Sequence, residues 1–152
     1  MKKMFLFLLL CVCFVDPAWS YDQALAASYA QYFQPFAGKG TPKALQMIPT
    51  KAFVQALKKG EEMLVIDIRT PAETGVYGVT LPGSLAIPMN ELFKVENLAK
   101  IPPDKKVVIV CKAGQRAMAV ATGLRHIGFR NVFTLKMGLS DLANFLSPKT
   151  AY

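Results

Sequence analysis

The hydrophobic positions of the chain fall into two alternating kinds of run. Short, mainly apolar stretches occur at 45–48, 63–68, 84–87, 107–110 and 131–135, and between them apolar residues recur every three or four positions. A short apolar run without polar alternation reads as a strand covered on both faces, and its alternation with amphipathic helices predicts a parallel sheet between helical layers. Met63 to Arg69 and Val107 to Val110 are the central strands of this scheme. Leu45 to Ile48 is a weak first strand, Ser84 to Ile87 a short third and Asn131 to Leu135 the fifth.

The helix signals fit between them. Pro49 and Thr50 start a helix carrying Phe53, Val54 and Leu57, which Gly60 stops. Thr70-Pro71-Ala72-Glu73 is a capping box with proline at the first helical position, so the second strand turns directly into a short helix. Gly75 to Gly83 reads as a loop, and Asn90 caps a helix running through Ala99. Arg116 to Ile127 is a helix ended by Gly128, with Ala117, Ala119, Ala121 and Gly123 small enough to let it lie close to the sheet. Leu139 to Leu146 closes the domain.

Ahead of this unit, Leu25, Tyr29, Tyr32, Phe33 and Phe36 stand at helical spacing in residues 21–36, predicting an amphipathic helix that ends near Pro35. Its aromatic stripe either packs on its own domain or forms a homodimer contact. Gly38, Gly40 and Pro42 mark a linker. The first residues read differently again. Lys2 and Lys3 precede the apolar run Met4 to Val15, and Ala18-Trp19-Ser20 supplies small residues at the cleavage-determining positions. That is the pattern of a secretory signal peptide, too short and wrongly flanked for a stable membrane span, with an uncleaved N-terminal anchor as the alternative. The expected organisation is a signal peptide over 1–20, a helical extension and linker over 21–44, one α/β domain over 45–147 and a short tail over 148–152.

Export changes how charge and cysteine are read. With 152 residues the chain can bury one good core. Loss of Lys2, Lys3 and Asp16 leaves 16 basic against 9 acidic residues, a net charge of +7. The basic residues are scattered, without the runs of like charge that bind nucleic acid, so they read as solvated surface with a local anion site. Cys11 and Cys13 leave with the signal, so the mature chain keeps Cys111 alone of its three cysteines. No internal disulfide can form, and a cysteine metal site would lack partners. A solitary thiol in an oxidising compartment is a liability that is easier to understand if the thiol is used.

Cys111-Lys112-Ala113-Gly114-Gln115-Arg116 follows a central strand and opens onto a helix. A thiol there sits among backbone N–H groups at the positive end of that helix, an environment that favours negative charge on sulfur. In open α/β sheets the ligand crevice lies at the carboxyl ends of the strands, where Cys111 and Asp67 both fall. Gly114 has the backbone freedom to curl the loop into an anion cradle. Lys112 and Arg116 add positive charge. Arg116 opposes the helix dipole, so a negatively charged ligand explains it best, with an ion pair to Asp or Glu as the alternative. Lys112 reads as an anion contact or a solvated loop charge. Asp67 suits loop orientation or ion pairing better than proton transfer, and Arg69 and Glu73 look structural. His126 lies near the end of the same helix as Arg116 and reads as a partly exposed residue stabilising the dipole, so no Cys-His pair is expected.

Asp67-Ile68-Arg69 with the capping box, Leu81-Pro82-Gly83-Ser84 with Ala86-Ile87-Pro88, the run Val108 to Arg116, and Gly128-Phe129 to Leu135 together resemble a single-domain rhodanese over residues 45–147. The resemblance implies the rhodanese-like α/β fold, a five-stranded parallel sheet with helices on both faces, here preceded by the N-terminal helical extension. It implies that Cys111 is the nucleophile carrying sulfane sulfur as a persulfide, with Lys112, Ala113, Gly114, Gln115 and Arg116 forming the substrate loop and Asp67 and Arg69 supporting it. The leader and helical extension are similar to exported sulfurtransferases of the polysulfide-sulfur transferase type, which implies a periplasmic protein. The implied donor is a small sulfur anion, thiosulfate or polysulfide, and the acceptor cyanide, a thiol or a partner protein, with no cofactor, metal or nucleic acid. Ala117 departs from the family where Ser often follows the loop Arg, Met137-Gly138 replaces a usual Gly-Gly, and Leu142 stands near a common aromatic position. Four residues separate Cys111 from Arg116, where the related phosphatases have five. This spacing favours sulfur transfer over the phosphatase-like alternative; a sulfane-sulfur carrier with little free turnover stays as the other reading.

Overall fold

The computed structural model describes residues 20–38 and 44–149. The signal peptide expected over 1–20 falls outside the described residues except for Ser20, as do residues 39–43 of the expected linker and 150–152 of the tail. In chain order the elements are α1 (Gln23–Phe33), a 3-10 turn (Gln34–Phe36), β1 (Met47–Ile48), α2 (Thr50–Lys58), β2 (Met63–Asp67) and α3 (Pro71–Val76). There follow β3 (Leu85–Ala86), α4 (Val95–Leu98), β4 (Lys106–Val110), α5 (Gln115–His126), β5 (Val132–Leu135) and α6 (Gly138–Phe145).

The five strands form one sheet in the order β1-β5-β4-β2-β3, and every pairing is parallel. β2 and β4 lie side by side at the centre, with Asp67 opposite Val110. That register brings the end of β2 and the residue before Cys111 to one edge of the sheet. Side chains along the central strands alternate between two apolar layers, as the pleat requires. Leu64, Ile66, Val107 and Ile109 pack with Ala117, Val120, Ala121 and Leu124 of α5 and with Leu92 and Ile101. Val65, Val108 and Val110 pack on the other face with Phe53 and Val54 of α2 and Leu139 of α6. Both layers are buried, which is why the strands lack polar alternation.

Four expectations shift. The expected helix from Asn90 to Ala99 is mostly turns, with only Val95–Leu98 helical and Lys94 in the capping position. Asn90 has no helix to cap, since Lys94 holds that position, and its amide donates to Glu91 Oε1 at 2.9 Å; the buried Asn97 donates to the Glu91 carbonyl at 2.8 Å. Gly75 belongs to α3, because the capping box carries one turn further than the glycine suggested. β1 is confined to Met47–Ile48, since Gln46 has a φ of 51° that ends the extended backbone. Of the small residues in α5, Ala117 and Ala121 face the sheet but Ala119 is exposed.

α1 packs on its own chain. Asp22 caps it by accepting from Leu25 N–H at 2.9 Å. The Tyr29 and Tyr32 rings lie 4.0 and 5.2 Å from the His126 ring between centroids, and Ser28 Oγ sits 3.1 Å from His126 Nε2. Arg125 Nε donates to the Tyr32 hydroxyl at 3.2 Å. His126, expected as a simple dipole partner, is therefore half-buried against α1. No α1 residue is fully buried, and Leu25 and Phe33 stay exposed. Among the described residues, no helix is long and apolar enough to cross a membrane.

Candidate active site

The loop 111–114 is held between two helix N-termini. Cys111 ends β4 and is 1% exposed. Gly114 takes a φ of 94° at the capping position of α5, and its N–H points back to Cys111 Sγ at 3.1 Å. A side chain at Gly114 would place its Cβ 3.1 Å from Met137 N, in a conformation that L residues rarely adopt. The carbonyls of the loop turn the other way. Cys111 O accepts from Leu139 N–H at 2.8 Å and Lys112 O from Ser140 N–H at 3.0 Å, so the first turn of α6 finds its missing acceptors in the loop. The Gly114 N–H thus faces the sulfur, and the Cys111 and Lys112 carbonyls face α6.

Gly138 makes this approach possible. A Cβ on it would lie 2.4 Å from Cys111 O, 2.7 Å from Lys112 O and 2.8 Å from Ala113 N. Of the Met137-Gly138 pair, the second residue is the one the packing requires. Met137 itself adopts a φ of 67° and is exposed.

Arg116 does not project free toward solvent. Its guanidinium makes a two-pronged ion pair with Glu73, Nη2 to Oε1 at 2.6 Å and Nη1 to Oε2 at 2.8 Å. Of the two readings of Arg116, a ligand anion or an ion pair with Asp or Glu, the second is present here, with a carboxylate of the same chain. Glu73 is also the acidic member of the capping box, accepting from Thr70 N–H at 3.1 Å while its own N–H donates to Thr70 Oγ1 at 3.3 Å. Its carboxyl is held down at about 2, first by the hydrogen bond from Arg116 and then by the Thr70 backbone. Arg116 is pushed up in turn, mainly by Glu73, with a smaller contribution from Cys111. The guanidinium therefore lies within electrostatic reach of the sulfur while tied to α3.

Asp67 and Arg69 form a buried pair beside the loop. Arg69 Nη2 reaches Asp67 Oδ2 at 2.6 Å, and Arg69 Nε and N–H donate to Oδ1 at 3.0 and 3.1 Å. Both side chains are 1–2% exposed. Arg69 is pushed up by its hydrogen bond to Asp67. The same guanidinium donates to Tyr77 O at 2.8 Å and sits 4.4 Å from the centre of the Tyr77 ring. Asp67 thus points at Arg69 and not at Cys111, and the pair anchors the chain leaving α3.

Lys112, Ala113 and Gln115 are exposed around the rim of the loop, and Lys112 makes no ion pair among the described residues. Beside them a cavity of about 500 Å3 opens between Ala113–Gln115 and the side chains of Met47, Met118 and Met137. The arrangement offers one sulfur nucleophile with the Gly114 N–H on it at the start of α5, a cation on the rim that makes no ion pair among the described residues, and a second cation behind it paired with a carboxylate. Sequence reasoning offered an ion pair with Asp or Glu for Arg116 but did not name Glu73 as the partner. The signals that could have found it are the capping box, which fixes Glu73 in the first turn of α3, and the adjacency of β2 and β4, which sets the two helix starts side by side.

Comparison with known proteins agrees with this geometry. The chain is 34% identical over 92 residues to a sulfurtransferase of Allochromatium vinosum, a match covering 60% of this chain and 82% of that protein. It is 31% identical over 80 residues to the mitochondrial thiosulfate sulfurtransferase RDL2 of Saccharomyces cerevisiae, covering 47% of this chain and 54% of the relative. The crystal structure of a rhodanese-related protein from Thermoplasma volcanium superposes with a TM-score of 0.57 at 23% identity, over 68% of this chain and 95% of that one, a likeness of fold. The model of the rhodanese-like domain matches residues 50–144, more than half of the sequence, and the chain belongs to that family.

Proposed function

We propose that this rhodanese-like protein is an exported sulfurtransferase that moves sulfane sulfur from thiosulfate or a polysulfide to cyanide, a thiol or a partner protein through a persulfide on Cys111. The observation that carries the reading is the Gly114 N–H aimed at Cys111 Sγ at 3.1 Å from the start of α5. A donor and helix terminus so placed stabilise negative charge on the attacking sulfur and on the persulfide that replaces it. Thiolate attack on the outer sulfur of thiosulfate forms a Cys–S–S⁻ group and breaks the donor S–S bond, whose electron pair leaves with sulfite. The acceptor then attacks the outer sulfur of the persulfide, taking it and returning the Cys111 thiolate.

Lys112 is a rim cation available to the incoming anion, and Arg116, paired with Glu73 and also acting on the Cys111 sulfur, stands behind it. Thiosulfate as donor is favoured by the name of the yeast relative. The periplasm as compartment is favoured by the basic start and apolar run of residues 2–15. The exposed Leu25 and Phe33 of α1 are the surface a homodimer would use.

Intact-mass measurement after separate exposure to thiosulfate and polysulfide should show one added sulfur, absent in Cys111→Ser. Thiocyanate formation from the loaded protein plus cyanide should be lost in the same variant. Equal thiocyanate rates for the two proteins would refute the proposal, whereas sulfur loading with negligible steady-state turnover would reassign the chain as a sulfur carrier.

A further inference from the structure

The carboxyl edge of the sheet, where Cys111 lies, carries a charge pattern that the opposite edge lacks. In a parallel sheet every strand ends at the same edge, so the residues that follow β1, β5 and β4, neighbours in the sheet, come out side by side. Each of these strands is followed closely by a lysine: Lys51 after Ile48, Lys136 after Leu135 and Lys112 after Val110. All of them are exposed, and none makes an ion pair among the described residues. Neighbouring strands stand about 4.8 Å apart, so β1 and β4 are separated by about 10 Å, close to one Debye length at roughly 0.1 M salt. Over such a span the fields of the charges overlap.

The carboxylates at this edge do not cancel the row. Asp67 is buried on Arg69, and Glu73 is paired with Arg116. Glu91, which follows β3, is paired with Lys94. Asp141 accepts from the Thr50 hydroxyl in the first turn of α6, where the helix dipole already balances it. At the opposite edge the signs are mixed, and Glu61 and Glu62, ahead of β2, pair with Lys106 and Lys105. An unbalanced positive row therefore stands beside the nucleophile.

The row is interrupted by apolar surface. Met137 follows Lys136 and is 58% exposed. Beside it opens the cavity of about 500 Å3, bordered by Lys136, Met47, Met118 and the loop residues Ala113 to Gln115. An exposed thioether, a recess large enough to take a side chain and a flanking row of one charge sign are the parts of a protein docking face, with apolar contact at the centre and charge at the rim. A second copy of this chain does not fit it, because it would set the same positive charges against the row. Cys111 itself is 1% exposed, so an acceptor thiol has to arrive on a projecting segment and not on a flat surface.

We propose that this edge docks a partner protein whose acceptor cysteine stands on a projecting acidic segment, with carboxylates on Lys51, Lys136 and Lys112 and an apolar side chain in the recess beside Met137. The chemistry rests on the sulfur-transfer reading. The acceptor thiolate attacks the outer sulfur of the Cys111 persulfide, the S–S bond breaks with its electron pair returning to Cys111, and the partner leaves as the persulfide.

Docking is tested on the full chain without loaded sulfur, so that it does not depend on that reading. Short peptides with one cysteine flanked on both sides by glutamates, glutamines or lysines are supplied as mixed disulfides with thionitrobenzoate. The Cys111 thiolate attacks the peptide sulfur, forming a Cys111–peptide disulfide and releasing thionitrobenzoate with the electron pair of the broken bond, which absorbance follows. Cys111→Ser gives the background from Cys11 and Cys13. The glutamate peptide should react about tenfold faster than the glutamine peptide, and the lysine peptide more slowly than either, with the differences fading at about 0.5 M salt. Lys51→Gln/Lys136→Gln, at exposed positions, should remove most of the preference, while uncharged N-ethylmaleimide should modify Cys111 at the wild-type rate.

Equal rates for the glutamate and glutamine peptides would overturn the proposal, and so would a preference that the double substitution leaves in place. An equal fall with N-ethylmaleimide would put the effect in the thiol and overturn it as well. Retention of a thymidine oligonucleotide that the double substitution removes, without a peptide preference, would reassign the row to nucleic acid. If the peptide preference holds and neither thiosulfate nor polysulfide adds sulfur to Cys111, the docking face stands and the sulfur-transfer reading falls.

Discussion

Gly138→Ala should disable the loop from behind, without touching sulfur or substrate. The added Cβ would stand 2.4 Å from Cys111 O, where ordinary van der Waals contact begins at 3.4 Å, so about 1 Å of movement is needed. All three atoms it meets belong to the backbone of residues 111–113, so no side chain can rotate away. α6 cannot simply retreat, because its first N–H groups are bonded to the Cys111 and Lys112 carbonyls at 2.8 and 3.0 Å. The loop therefore moves, and with it the Gly114 N–H that faces Sγ. A misplacement of about 1 Å at a reacting centre costs on the order of a hundredfold in rate. The φ of 65° adds about 1–2 kcal/mol of backbone strain for a residue with a Cβ, or a fall in Tm of roughly 4–8 °C per kcal/mol in a domain of this size.

The assay pairs thiocyanate formation at 25 °C with thermal melts followed by circular dichroism. The expected result is a folded variant with turnover reduced about a hundredfold. Met137→Gly is the neighbouring control. It relieves the left-handed strain at φ 67° but gains unfolded-state freedom, so stability should change by less than about 1 kcal/mol and turnover by less than about twofold. A folded Gly138→Ala protein with wild-type turnover would refute the assignment of Gly138 as the support of the loop.

Three further outcomes follow from the polar contacts. Glu73 is depressed from 4.5 to about 2, so its ion pair contributes stability above pH 4.5 and loses it as pH falls toward 2. The Tm gap between wild type and Glu73→Gln should therefore be constant above about pH 5 and close on acidification; a gap that widens would contradict the pairing. Arg69→Met leaves the Asp67 carboxylate buried without its partner and should cost about 3–5 kcal/mol in urea denaturation, most of it recovered in Asp67→Leu/Arg69→Met. Thr134 is 1% exposed and its hydroxyl has no hydrogen-bond partner among the described residues, so Thr134→Val should raise stability by about 1 kcal/mol; a loss of that size would show that the hydroxyl is satisfied in solution.

The parallel sheet was legible because its central strands are buried on both sides and carry unbroken apolar runs, as Val107 to Val110 shows. The capping box at Thr70 was legible because both halves of the contact lie within four residues. Where the chain uses long-range partners, local reading failed. Asn90 has the chemistry of a helix cap, but no helix of that length forms, since turns carry residues 89–94 and the buried Asn97 holds them through the Glu91 carbonyl. His126 reads as an isolated helix-terminal residue until α1, almost a hundred residues earlier, lays Tyr29 and Tyr32 against it. The demand for glycine at 138 comes from backbone atoms of another loop, and the sequence marked Gly138 only as half of a Met-Gly pair standing where Gly-Gly is usual.

Arg116 shows most clearly how a correct physical premise leaves two partners open. A cation in the first turn of a helix opposes the helix dipole and needs a compensating anion. The sequence offers no way to tell whether that anion is a ligand or a carboxylate brought in by the fold. Here α3 supplies it, because parallel β2 and β4 deliver the starts of α3 and α5 to the same edge and the capping box fixes Glu73 toward its neighbour. The two charges largely cancel at a distance. What remains at full strength to attract and hold an anion over Cys111 is the N–H at Gly114, the positive end of α5 and the rim charge of Lys112, with Arg116 adding a reduced pull on the sulfur. Loop rigidity and anion attraction thus rest on different cations, so substitution at Arg116 should report on loop position and substitution at Lys112 on donor affinity.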